Sequence, residues 1–239
     1  MNNKIYKPFQ FKRFSVHHAN AAMKVGTDGI LLGAWTNCTH KRYGIDIGTG
    51  TGVIAMMICQ RNSNVQMDAI EISNNACQDA ELNFKQSPWE NRINLIQGDI
   101  KKLNTSKKYD LIICNPPFFQ DSLLPKDKDR AKARHDHDLN YSEILDFSNK
   151  YINENGIISI ILPVEQGMKC VKNANEKRLY VNRLCMVYPK PEKKAHRILL
   201  EISNNEQPII KEELIIENNE RHNYTKDYKN LTREFYTIF

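Results

Sequence analysis

Residues 43–60 constrain the fold more than any other stretch. Tyr43 to Ile47 is a short apolar run, Gly48-Thr49-Gly50-Thr51-Gly52 interrupts it, and Val53 to Gln60 resumes with apolar residues nearly all round a helical period. A helix apolar on every side must be covered on every side, as a helix packed on a sheet is. The strand-then-helix alternation continues. Val65 to Glu71 reads as a second strand, Asn74 to Gln86 as an amphipathic helix stopped by Ser87-Pro88, Ile93 to Asp99 as a third strand and Asp110 to Cys114 as a fourth. Beyond a long polar segment come a helix (Tyr141 to Asn153), a stop at Gly156, a strongly apolar strand (Ile157 to Leu162) and a helix (Glu165 to Lys177). A closing strand pair (Val181 to Tyr188, His196 to Ile202) and a last helix (Tyr224 to Phe235) complete the pattern. Alternation on this scale predicts one doubly wound α/β domain. Ahead of it, Phe9 to His18 mixes aromatic and basic residues with a partial period of two, and Ala21 to Val25 returns, which predicts a β-hairpin turning near Asn20. Residues 1–40 thus form an extension, and residues 41–239 the core.

In an open parallel sheet, ligands bind beyond the carboxyl ends of the strands. The fourth strand stops there abruptly on Asn115-Pro116-Pro117-Phe118-Phe119, because two prolines forbid both ladder pairing and a helix interior. An amide, a rigid turn and a ring at that place can grip a planar amine. The Asn115 oxygen accepts one N–H, the Pro116 carbonyl accepts another, and Phe118 stacks on the ring. Taken alone, Asn-Pro-Pro reads equally well as a plain turn. The other strand ends carry acids: Asp46 at the end of the first, Glu71 of the second, Asp99 of the third. Singly each is a solvated strand end; in order around a glycine turn they make a binding constellation. Upstream, Thr27 or Asp28 can cap a short helix from Ile30 to Trp35. The same Lys24-x-Gly26-Thr27-Asp28 turn can also close over a ligand.

A glycine-rich turn between strand and helix serves both dinucleotides and other nucleotide-like ligands. The dinucleotide register G-x-G-x-x-G is not kept, since Gly48, Gly50 and Gly52 are spaced by two and Val53 holds the sixth position. The spacing resembles the Asp-x-Gly-x-Gly-x-Gly loop of Rossmann-like methyltransferases that use S-adenosyl-L-methionine. That resemblance implies Asp46 beside the cofactor's amino-acid end, Glu71 accepting both ribose hydroxyls, and Asp99 accepting from the adenine amine. Asn115-Pro116-Pro117-Phe118 resembles the catalytic motif of class I enzymes that methylate planar amine or amide nitrogens. Phe14-x-Val16, Ala22 to Trp35, Asp46-Ile47-Gly48-x-Gly50, Asn83 to Asn94, His196 to Leu200 and Tyr224 to Phe239 extend the likeness over nearly the whole chain. Together they resemble the bacterial family that methylates N6 of adenine 37 in valine tRNA. The most specific stretch is Lys24 to Trp35. Phe118 stands where that family often has tyrosine, and either ring stacks.

The resemblance implies a tRNA partner, and the net charge of +6 permits one without demanding it. Lys126 to His137 follows the Asn-Pro-Pro turn with five Lys or Arg against three Asp, so Lys132 and Arg134 are candidates for RNA phosphates, as are Lys12 and Arg13 near the amino terminus. His135 and His137 have no clustered partners, so no metal site is expected. Six scattered cysteines without a C-x-x-C pair look like reduced buried thiols. With no apolar run near the ~18 residues of a membrane span and no apolar leader, a cytoplasmic protein is expected. Two other readings stay open from the residues alone. One is N-methylation of a protein glutamine, DNA adenine or rRNA guanine; the other is a cofactor-binding RNA module without turnover.

Overall fold

The computed structural model describes residues 7–117 and 139–239. Its centre is the alternation read above: β3 (Tyr43–Ile47), α2 (Val53–Arg61), β4 (Gln66–Glu71), α3 (Asn74–Lys85), β5 (Ile93–Gln97) and β6 (Tyr109–Cys114). These are followed by α4 (Tyr141–Tyr151), β7 (Ile152–Pro163), α5 (Val164–Glu176), β8 (Tyr180–Tyr188), β9 (Arg197–Ser203), β10 (Ile210–Ile215) and α6 (Lys226–Thr232). Eight strands form one sheet in the order β10-β8-β9-β7-β6-β3-β4-β5. Neighbours are parallel except at β9, which is antiparallel to both β7 and β8. The sheet is covered on both faces, which is why its central strands read as unbroken apolar runs. One core gathers residues of α1 (Thr27–Trp35), α2, α3 and α6; the other gathers those of α4 and α5.

Three expectations are corrected. First, the amino-terminal hairpin is tighter and earlier than the pattern implied. β1 (Phe9–Gln10) pairs with β2 (Ser15–Val16), and Ala21 to Val25 does not return as a strand. The reason is long-range. The backbone N–H groups of His17, Asn20 and Ala21 donate to side chains of α3, Asn83 at 2.7 Å and Asp79 at 2.8 Å, and are not available to a ladder. Second, the cap of α1 is Gly26 with no side-chain hydrogen bond, so Thr27 and Asp28 lie inside the first turn. Third, β10 was missed. It is an edge strand whose centre, Lys211-Glu212-Glu213, carries the charges that discourage edge-to-edge pairing, and these masked its apolar ends.

The hairpin is closed by Phe11 stacked on Phe14 at 4.5 Å, with Phe14 edge-on to Trp89 at 5.4 Å. All six cysteines are buried free thiols. Among the described residues no helix is long and apolar enough to cross a membrane, and no group of three or more His, Cys, Asp or Glu could hold a metal ion.

Candidate active site

A cavity of about 910 Å³ opens at the carboxyl ends of β3, β4 and β6, within the roughly 300–1,000 Å³ usual for small-molecule sites. Its floor is the glycine turn. Gly48, Gly50 and Gly52 have φ of 68°, 56° and 82°, the left-handed region that glycine enters without strain. At Gly52 space adds a second demand, because a β-carbon there would lie 2.2 Å from the Phe84 ring. The turn spends its donors internally. Gly48 and Thr49 N–H donate to the Ile70 carbonyl at 2.9 and 3.0 Å, Gly52 N–H to Thr49 at 2.9 Å, and Gly50 N–H to Glu71 Oε2 at 2.9 Å. Donors so committed leave fewer N–H groups for the cradle that a pyrophosphate needs.

Acids ring this floor. Glu71 closes β4 and is held by two backbone donors, Gly50 N–H on one oxygen and Ser73 N–H at 2.8 Å on the other. Each oxygen keeps a further lone pair for a ligand. Asp99 caps the short 3-10 turn Ile100–Lys102 through Lys101 N–H at 2.9 Å and lines the cavity. Asp46 lies beneath the turn, fully buried. Its Oδ2 accepts from the Thr49 hydroxyl at 2.6 Å, while Oδ1 has no partner. Burial raises its pKa to about 7, against the lowering pull of its hydrogen bonds. At the end of β6, anchored by Cys114 Sγ donating to the Ile47 carbonyl at 3.0 Å, Asn115 also buries a side-chain oxygen without a partner. A buried acceptor left open is unusual. That of Asn115 lies at the cavity wall and suits a ligand that brings donors, whereas Asp46 is not part of the wall.

The walls include residues that sequence reasoning passed over. Ala21, Ala22 and Met23 join Lys24, Gly26, Thr27 and Asp28; Ile72, Ser73 and Ala76 follow Glu71; Leu139 lines the cavity as well. The segment before α1 is fixed by α3, whose buried Asp79 and Asn83 hold it by hydrogen bonds. Their spacing of four on one helix face was the available signal. Lys24 donates to the His18 carbonyl. Asp28 accepts from Arg197 Nε at 2.8 Å, so its carboxylate is already engaged. His196 lines the cavity beside Arg197, and burial, assisted by that arginine, holds it below the usual imidazole pKa. Its Nδ1 lies 3.2 Å from the Val187 carbonyl. A carbonyl only accepts, so the neutral ring carries its proton there and Nε2 is a bare acceptor.

Of the expected site residues, Lys24, Gly26, Thr27, Asp28, Gly48, Gly50, Glu71, Asp99, Asn115 and Pro117 line one cavity, while Asp46, Gly52 and Pro116 are not on its wall. Phe118, Lys132 and Arg134 lie outside the described residues. Lys12 and Arg13 are elsewhere. The Lys12 ammonium donates to the Arg233 and Phe239 main-chain oxygens, each at 2.6 Å, and Arg13 sits 5.7 Å over the Trp89 ring.

Comparison with known proteins gives concordant relatives. Residues 18–171 match the family model described as Methyltransferase small domain. A protein of Flavobacterium psychrophilum named tRNA1(Val) (adenine(37)-N6)-methyltransferase is 42% identical over 231 residues, 95% of this chain and 98% of its own length. A protein of the same name from Bacteroides thetaiotaomicron is 40% identical over 229 residues, 95% of this chain and 96% of its own. Among solved structures, one titled as a predicted O-methyltransferase from Agrobacterium tumefaciens superimposes with a TM-score of 0.67, covering 87% of this chain and 96% of that one. At 16% identity that likeness is one of fold.

Proposed function

This chain belongs to the bacterial tRNA1(Val) (adenine(37)-N6)-methyltransferase family, and on that premise we propose how its residues share the work. It is an S-adenosyl-L-methionine-dependent enzyme that methylates N6 of an adenine in tRNA; the target we assign is adenine 37 of valine tRNA. A match running over 95% of the chain supports this reading over N-methylation of protein, DNA or rRNA, where the Asn-Pro-Pro-aromatic motif alone would not decide. Residues 41–239 act as the catalytic core and residues 1–40 as an extension whose last part walls the cofactor site.

The cavity suits the cofactor by its own chemistry. Glu71 takes the ribose diol on the two lone pairs it keeps, Asp99 takes the adenine amine, and the Lys24–Asp28 turn faces the charged amino-acid end, with the Asp46 carboxyl buried beneath the glycine turn and off the wall. The committed donors of the glycine turn disfavour a pyrophosphate and therefore a nicotinamide dinucleotide. When bound, S-adenosyl-L-methionine supplies an electrophilic methyl group on a sulfonium. The remaining tasks fall to the chain.

The observation that carries the chemistry is the buried, unpartnered oxygen of Asn115 at the end of β6. An exocyclic amine has its lone pair delocalised into the ring. Asn115 Oδ1 and the Pro116 carbonyl accept its two N–H groups, orient the nitrogen and stabilise the positive charge that grows on it during attack. No strong base is needed, because the N–H groups become acidic as the nitrogen attacks. The base has to leave its stack to reach this pocket, and Phe118 offers it a replacement face. The test is methyl transfer from labelled cofactor into tRNA, followed by digestion to nucleosides. Label in N6-methyladenosine that disappears when adenine 37 is replaced supports the reading; label in any other nucleoside overturns it.

A further inference from the structure

β9 runs against every other strand of the sheet, with a consequence for the cavity. For the parallel strands, residues that follow a strand reach the ligand end; for β9, residues that precede it do. Register pairs Pro163, the last residue of β7, with Arg197, the first of β9. The connection 189–196 between β8 and β9 therefore lies at the mouth of the cavity, and His196 and Arg197 are part of its wall.

This loop is built and charged. Pro189 and Pro191 restrict its backbone. His196 N–H donates to the Val187 carbonyl at 3.0 Å, Lys193 N–H to the Lys190 carbonyl at 3.1 Å, and the Lys190 ammonium to the Asn219 carbonyl at 2.9 Å. Arg197 is paired to Asp28, which ties the foot of the loop to the first turn of α1. At the tip, Lys193 and Lys194 are exposed, and neither ammonium has an ion pair or hydrogen bond among the described residues. They are three and two residues from His196, so their backbone lies within about 7–10 Å of the cavity wall. A nucleotide whose base enters the cavity brings its phosphates to that rim, and two unpaired ammonium groups on an anchored loop match them in charge.

We propose that the β8–β9 loop is a tRNA-gripping arm, in which Lys193 and Lys194 bind phosphates flanking the target nucleotide while His196 and Arg197 carry the loop onto the cavity wall. This rests on the tRNA reading above. It assigns the RNA contact to a surface other than the amino-terminal residues expected from sequence.

The experiment measures the salt dependence of binding of a labelled valine tRNA transcript to the full chain and to K193Q/K194Q, K193R/K194R and K211E. Lys211 lies at the start of β10, at the opposite end of the sheet. The glutamine variant should show a log K against log[salt] slope shallower by roughly 0.7–0.9 per lysine in contact. Its KM for tRNA should rise, with kcat at saturating tRNA and calorimetric affinity for S-adenosyl-L-methionine unchanged. The arginine variant should restore the slope, and K211E should behave like the unaltered chain. A K193Q/K194Q slope and KM equal to those of the unaltered chain would show the loop to be only solvated surface. Salt-dependent binding without methyl transfer by the unaltered chain would overturn the reading of function, while the slopes would still decide the loop.

Discussion

Asp46 and Asn115 each present a buried oxygen without a partner, and each makes a distinct prediction. Burial holds the Asp46 carboxyl near pH 7, above its unfolded value of about 3.9. The folded protein therefore binds this proton more tightly than the unfolded chain does. The resulting stability is fully present below about pH 4 and is lost as pH rises through about 7. Thermal melts of the cofactor-free protein across pH 4–8 should show this loss, and Asp46→Asn should remove that part of the slope. Equal slopes would mean that Asp46 ionises normally. For Asn115, the benefit lies in the transition state. Asn115→Ala should lower kcat by about 10²–10³, the scale of losing one preorganised partner for developing charge, with cofactor affinity nearly constant. Asn115→Asp keeps an acceptor and should retain more activity. Methylation of tRNA at the normal rate by Asn115→Ala would reduce Asn-Pro-Pro to a turn.

Between elements, the ion pair of Asp28 on α1 with Arg197 on β9 joins two parts of the cavity wall, and both side chains are only 23% exposed. A charged hydrogen bond in that setting contributes about 1–3 kcal/mol. Asp28→Asn should leave the fold intact but loosen the wall, weakening S-adenosyl-L-methionine by roughly threefold to tenfold in calorimetry. An unchanged affinity would make the pair a local surface contact. This pair also marks the limit of sequence reading. The central strands were legible because burial on both faces leaves an almost continuous apolar run, as in Leu111 to Cys114. Glu71 and Asp99 were legible as residues of the cavity because parallel strands deliver their ends in sequence order, whereas Asp46 lies buried off the wall. His196 and Arg197 were not seen as cavity wall, since they precede a strand and only its reversed direction brings them there. The hairpin was misjudged because Asp79 and Asn83, about sixty residues away, take the donors that a local pattern assigns to a ladder.

Across the whole molecule, the two ends of the described chain meet. Phe11 bridges to Tyr236, and Lys12 N–H donates to the Phe235 carbonyl at 2.8 Å. Phe9, Phe11, Tyr236, Tyr228 and Phe239 form a continuous ring cluster. α6 packs on α1, and α1 packs on α2, which starts at the glycine turn. Lys12 decides what this junction is for. Its ammonium sits on the Arg233 and Phe239 oxygens, so the same charge that looked like an RNA contact in the sequence acts here as a clasp. The two roles separate in one substitution. Lys12→Met keeps an unbranched stem of similar length and removes the charge. As a clasp, Lys12 should contribute about 1 kcal/mol, given its exposure, which for a chain of this size lowers Tm by about 2–4 °C. The salt dependence of tRNA binding should then stay where it was. An unchanged Tm with a slope shallower by roughly 0.7–0.9 would return Lys12 to the RNA and leave the junction to its aromatic rings.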